Sequence, residues 1–236
     1  MLWDVDHTLI ETRGVGGAVF ERAFLAATGT PLTNRADMSG RTEYDIMRES
    51  LAINGLEPTE ERTHLLADAL VAGYENARDE LRAIGGALPG ARDTLAELAA
   101  APGIYQTVLT GNLRAVARIK LEVFGLDSFL ELEVGAYGDD QQERTELVAI
   151  AQERAAAKTS IAFNRSSTVT VGDTPKDVAA GLAAGVHMIA VASGKSTIAD
   201  LRAAGAGAVF CDVKDVGRAI LALADAAGTR HSREAQ

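Results

Sequence analysis

The chain has a single cysteine, Cys211, among its 236 residues, so no disulfide framework can brace it; a reducing compartment, the cytoplasm, is expected. No apolar stretch is long enough to span a bilayer and nothing resembles a signal sequence, so no membrane partner is expected. Aromatics are few, at 5%, but 47% of the residues are hydrophobic, enough for one large domain plus an insertion. Positive charge is also scarce. With 23 Lys and Arg against 33 Asp and Glu the net charge is -10, which argues against nucleic acid, since phosphate backbones are held by basic surfaces. A small phosphate is still open to such a chain, because one divalent cation and one Arg can invert the local field.

What is present is a set of carboxylates at strand ends. In Leu2-Trp3-Asp4-Val5-Asp6-His7-Thr8-Leu9-Ile10 two carboxylates stand two residues apart at the end of a short apolar strand, with a hydroxyl two further on. Strand side chains alternate, so Asp4 and Asp6 project the same way. Like charges that close raise each other's pKa unless a cation or a catalytic task holds them. A second run, Gln106-Thr107-Val108-Leu109-Thr110-Gly111-Asn112, ends in a hydroxyl, a glycine and an expected helix N-cap at Asn112. A third, Thr168-Val169-Thr170-Val171-Gly172-Asp173-Thr174-Pro175-Lys176-Asp177, brings a carboxylate to a strand tip, then a Pro at a helix start and a second Asp. In an open parallel sheet, ligands bind outside the carboxyl ends of the strands. Three tips would offer Asp4 and Asp6, Thr110, and Asp173 with Asp177 to one crevice, a hard-cation oxygen site.

These runs, in this order, resemble the haloacid dehalogenase superfamily. The DxDxT motif is Asp4, Asp6 and Thr8, the strand ending in a hydroxyl is Thr110, and the GDxxxD motif is Gly172, Asp173 and Asp177. The likeness runs from Leu2 to about Leu223. It implies a magnesium-dependent phosphatase acting through an aspartyl-phosphate intermediate on a small phosphomonoester, similar to phosphoglycolate phosphatase. A phosphomutase of the β-phosphoglucomutase type is the alternative, and a catalytically degenerate binding protein is the non-enzymatic one. By that resemblance Asp4 is the nucleophile and Asp6 the acid and base, which requires Asp6 to start neutral. Magnesium would be held by Asp4, the backbone carbonyl of Asp6 and Asp173, with Asp177 steadying the site. Thr8, Thr110, Gly111 and Asn112 would serve the transferring phosphate. The family's usual Lys before the fourth strand is missing; in Gly138-Asp139-Asp140-Gln141-Gln142-Glu143-Arg144 the aligned cation is Arg144, with Lys120 as the alternative. His7 replaces a usual Gly and is read as lining a turn. Dehalogenases lack the second Asp, and phosphonatases need a cap Lys, which is absent between Met1 and Gly90.

Helical periodicity over 15–28, 42–54 and 59–83, with no convincing strand between Asp6 and Tyr105, predicts an inserted helical unit. In the family this is the C1 cap, here over 14–87, hinged at the glycines near 13–17 and 85–89. Residues 1–13 and 88–227, with helix and strand alternating to a last strand at Ala208 to Phe210, predict a doubly wound α/β parallel sheet, and 228–236 a disordered tail. Only three residues precede Asp4, so a short first strand or an upstream start is expected. Ser39-Gly40-Arg41-Thr42 resembles a cap loop that reaches substrate, and Arg41 would suit a carboxylate or a hydroxyl-rich leaving group. A monomer or homodimer is expected. Gly194-Lys195-Ser196-Thr197 mimics the end of a P-loop, but the required first glycine falls on Ile189. Gly14-Val15-Gly16-Gly17 lacks dinucleotide-fingerprint spacing and fits a hinge.

Overall fold

In the computed structural model, which describes residues 1–141 and 143–222, the strands are β1 (Leu2–Trp3), β2 (Ile10–Glu11), β3 (Gly86–Ala87), β4 (Thr107–Val108), β5 (Val169–Gly172), β6 (His187–Val191) and β7 (Ala208–Phe210). Five of them form one parallel sheet in the order β4-β1-β5-β6-β7. β1 is therefore central despite its two residues, with Leu2 level with Thr107 and Thr170, and Trp3 level with Val108 and Val171. The tail expected over 228–236 lies outside the described residues.

Period-two alternation makes both faces of the sheet apolar. Trp3, Val171 and Val191 pack on one side with Leu95 and Leu98 of α5 (Ala91–Ala100) and with Val213 and Val216 of the helical residues 213–222. On the other side Leu2 meets Leu147, Val148 and Ala151 of α7 (Arg144–Thr159). Met188 and Ala190 there meet Val178 of α8 (Pro175–Ala184) and Leu201 of α9 (Ile198–Ala203). Helices on both faces of a parallel sheet make a doubly wound α/β layer. Each fully buried aliphatic side chain contributes about 1.5–3 kcal/mol.

Between β2 and β3 lies a helical cap with its own core: α1 (Val15–Thr28), α2 (Glu43–Ile53), α3 (Glu60–Asn76) and α4 (Arg78–Ile84). Val19, Phe20, Phe24, Met47, Leu51, Leu66 and Leu70 fill it. Thr42 and Thr59 start α2 and α3 by accepting from the amides of Asp45 and Arg62. The helix expected over 59–83 breaks at Ala77, where no Pro or Gly signals a break; the turn lets Leu81 reach the cap core and Arg78 pair with Glu122. A further correction concerns β2 and β3. They pair antiparallel through Ile10–Ala87 and Glu11–Gly86 where no strand was expected, since two residues give no period to read. Helix α6 (Arg114–Val123) belongs to both cores: Leu113, Val116 and Ile119 pack into the cap, Ala117 and Leu121 under the sheet. Among the described residues no helix is long and apolar enough to cross a membrane.

Candidate active site

The C-terminal ends of β4, β1 and β5 release Thr110, Asp4 with Asp6, and Asp173 at one edge of the sheet. Carboxylate oxygens of Asp4, Asp173 and Asp177, all buried, lie within 4.8 Å of one another. Asp177 serves two partners. One oxygen completes the capping box of α8 with Thr174, and the other lies 2.5 Å from the Arg144 guanidinium. Thr8 Oγ1 donates to Asp173 Oδ1 at 3.5 Å. Gly194, from the segment that mimics a P-loop, passes so close to Asp173 that a Cβ there would stand 1.9 Å from Oδ2; Thr197 instead caps α9 in a capping box with Asp200.

This crowding decides the charge state. Burial raises the Asp4 pKa well above the usual carboxylate range, and Asp177 and Asp6 add to the rise against the pull of Arg144. Asp173 is raised in the same way by burial, Asp4 and Asp177. Three carboxylates share one guanidinium, a deficit that a hard divalent cation with oxygen ligands would close. The donor set thus fits a bound magnesium-like ion.

Asp6 faces a different environment. Lys120 Nζ lies 3.0 and 2.8 Å from its two oxygens, and Asn112 Nδ2 donates to Oδ2 at 2.7 Å. Burial works to raise its pKa, but Lys120 and Asn112 outweigh burial and hold the carboxyl below its ordinary value. The charge of Asp6 is compensated by a buried cation that spacing alone does not reveal. Asn112 differs from its expected N-cap role. Its side chain donates to Thr110 Oγ1 at 2.7 Å and accepts from Lys120 at 2.5 Å, and the N-cap position falls to Leu113, which has no capping side chain. His7 adopts a left-handed φ of 60°, the conformation a Gly takes most readily; its carbonyl accepts from Ser193 Oγ at 2.6 Å.

The two candidate cations occupy separate places. Arg144, opening α7, donates to Asp4 Oδ1 at 2.7 Å, and its buried Nε has no protein acceptor. Lys120, on α6, stands on Asp6, with the Tyr74 ring centroid 5.0 Å away. Arg41 is engaged within the cap: its guanidinium binds Glu49 and the carbonyls of Asp37 and Asp45, although its own backbone lies against Gly111.

Sequence reasoning missed Glu43 and Tyr74. Tyr74 is one apolar position of α3 among several and carries no signal. Glu43, the first residue of α2, is buried, and its carboxylate accepts from the Leu113 amide at 2.6 Å while its amide donates to the Gly111 carbonyl at 2.7 Å. Burial pushes its pKa up to about 7 against the pull of Lys120 and that amide. An acid in the first turn of a capped helix reads as a dipole partner, which conceals a tertiary role.

Comparison with known proteins places this geometry. The haloacid dehalogenase-like hydrolase model matches residues 1–181, and a second HAD-hydrolase-like model matches 147–216. No curated protein matches the chain. Among solved structures, a hydrolase from Pseudomonas syringae is 22% identical with a TM-score of 0.67, covering 89% of this chain and 92% of its own. A predicted phosphoglycolate phosphatase from Haemophilus somnus is 17% identical with a TM-score of 0.66, covering 92% and 96%. A HAD family hydrolase from Deinococcus radiodurans, with bound phosphate and sodium, is 24% identical with a TM-score of 0.57, covering 95% of each chain. At these identities the structures establish a shared fold, and the family match extends over most of the sequence: the chain belongs to the haloacid dehalogenase-like hydrolases.

Proposed function

We propose that this hydrolase is a magnesium-dependent phosphatase that cleaves a small phosphomonoester through an aspartyl phosphate, similar in activity to a phosphoglycolate phosphatase. The observation that carries the reading is the placement of Asp4 and Asp6 on one strand tip with a separate cation on each, Arg144 and Lys120. One carboxylate is thereby reserved for attack and the other for proton transfer.

Asp4 attacks phosphorus in line, and the bond from phosphorus to the leaving oxygen breaks. Asp6 gives that oxygen its proton, then takes one from the water that cleaves the Asp4–phosphorus link and releases inorganic phosphate. Lys120 and Asn112 favour the carboxylate of Asp6, so the proton it passes to the leaving oxygen is one brought in by the monoanion of the substrate's phosphate. Arg144, with a free Nε–H besides its bond to Asp4, steadies the transferring oxygens together with Thr110. Asp4 and Asp173, with Asp177 behind them, would hold the magnesium ion, which supplies charge neutralisation and orientation of the phosphate. The test is hydrolysis of p-nitrophenyl phosphate followed by a panel of metabolite phosphates. Absence of phosphate release from any ester in the presence of magnesium refutes the reading.

The raised carboxyls make a separate expectation. Metal ligands must be deprotonated, so magnesium binding near neutrality should release protons from Asp4 and Asp173, and the release should fade at alkaline pH where both are already ionised. Calorimetry of the metal-stripped protein in two buffers of different ionisation enthalpy measures this. Asp173→Ala should lower both the affinity and the proton count. Gly194→Ala, whose Cβ would displace the Asp173 carboxylate, should weaken binding in the same direction.

A further inference from the structure

Glu43 stands where the cap meets the catalytic layer, and its two hydrogen bonds cross that boundary. The start of α6 has backbone N–H groups that no intrahelical carbonyl can take. The residue expected to cap them, Asn112, has its side chain committed to Asp6, Thr110 and Lys120. The Leu113 amide is satisfied instead by Glu43 from the cap, and the Arg114 amide by Asp139 at 3.1 Å. In return the Glu43 amide donates to Gly111, whose close approach leaves no room for a side chain: a Cβ there would lie 2.1 Å from the Arg41 carbonyl oxygen. Helix α6 carries Lys120, and residues 110–112 carry the groups that hold Asp6.

We infer that Glu43 is a positioning residue that caps α6 from the other side of the domain boundary, so that seating of the cap and ordering of the loop and helix that hold Asp6 are a single event. When the start of α2 lifts, the Leu113 and Glu43 amides lose their partners together, while Val116 and Ile119 keep α6 packed on the rest of the cap. A second contact, Lys176 Nζ to the Ser39 carbonyl at 2.9 Å, also joins the cap to the layer below but does not touch α6. It separates a positioning role from simple closure.

Three variants and the wild type decide the matter by hydrogen exchange and by kinetics with p-nitrophenyl phosphate; only the kinetic arm rests on the phosphatase reading. In the wild type the amides of Glu43 and Leu113 should exchange with protection factors within about threefold of each other, because one opening exposes both. Glu43→Ala should speed exchange across 113–116 by about tenfold and lower kcat by a similar factor. Glu43→Gln, which keeps an acceptor for the Leu113 amide, should restore most of both. Lys176→Ala should raise KM and leave kcat and the exchange of α6 unchanged. Wild-type protection of the two amides differing by more than tenfold overturns the inference even if the alanine variant does not fold. So does a folded Glu43→Ala protein with unchanged α6 exchange, a glutamine variant that restores nothing, or a Lys176→Ala protein that loosens α6. If no protein in the series hydrolyses this ester or any of the metabolite panel, the phosphatase reading fails and the exchange arm still decides the role of Glu43.

Discussion

Asp4→Asn is expected to abolish turnover while making the metal-free protein more stable. The first effect follows from chemistry: an amide oxygen is a poor nucleophile toward phosphorus, and loss of a covalent nucleophile lowers kcat by on the order of 10⁴-fold or more. The second follows from the site. Asp4 is buried beside Asp173 and Asp177 with Arg144 shared among them, and its raised pKa means that folding disfavours its charge. Replacing it by a neutral isostere relieves repulsion, and each 1 kcal/mol gained would raise Tm by about 2–4 °C for a chain of this size. With magnesium present the order should reverse, since the wild type then gains more from the ion than the variant does. Thermal denaturation with and without magnesium, alongside steady-state kinetics, measures both effects. A folded Asp4→Asn protein that retains substantial phosphatase activity would overturn the covalent mechanism.

The second large effect divides the two buried cations. Arg144→Ala should lower kcat by about 10²–10³-fold, because on the proposed mechanism the transferring oxygens lose a cationic donor. Arg144→Lys should recover part of that, since the charge returns without the planar guanidinium, whose Nη2 meets both Asp4 and Asp177 while its Nε is left to donate elsewhere. Lys120→Ala should act first on stability. Spacing alone would make Lys120 dispensable once Arg144 fills the cationic role, but the structure puts it on the Asp6 carboxylate and near Glu43 and Tyr74. Removing it strands buried negative charge at a cost of about 3 kcal/mol, the lower end for such pairs because Asp6 is one-third exposed. Denaturant unfolding of both variants with single-turnover kinetics separates the roles. A stable and fully active Lys120→Ala protein would show that Asp6 does not depend on it.

The sequence by itself determined the parallel layer, the inserted helices and the carboxylates at the strand tips. Each rests on a local rule: period-two runs for the strands, period 3.6 with Thr42 and Thr59 as caps for the helices, and Pro175 opening α8. Because successive parallel strands end at the same edge, Asp4, Thr110 and Asp173 could be brought together without coordinates. Tertiary structure decided the partners. Lys120 reaches Asp6 across 114 residues and Arg144 reaches Asp4 across 140, and no spacing rule extends so far. The left-handed backbone of His7, the break at Ala77 and the diversion of Asn112 from helix cap to bridge follow from neighbours that local propensity does not contain. Glu43 is the clearest case. By sequence it is an acid suited to the start of its own helix, and only the packing of the cap against α6 puts its carboxylate at the start of another.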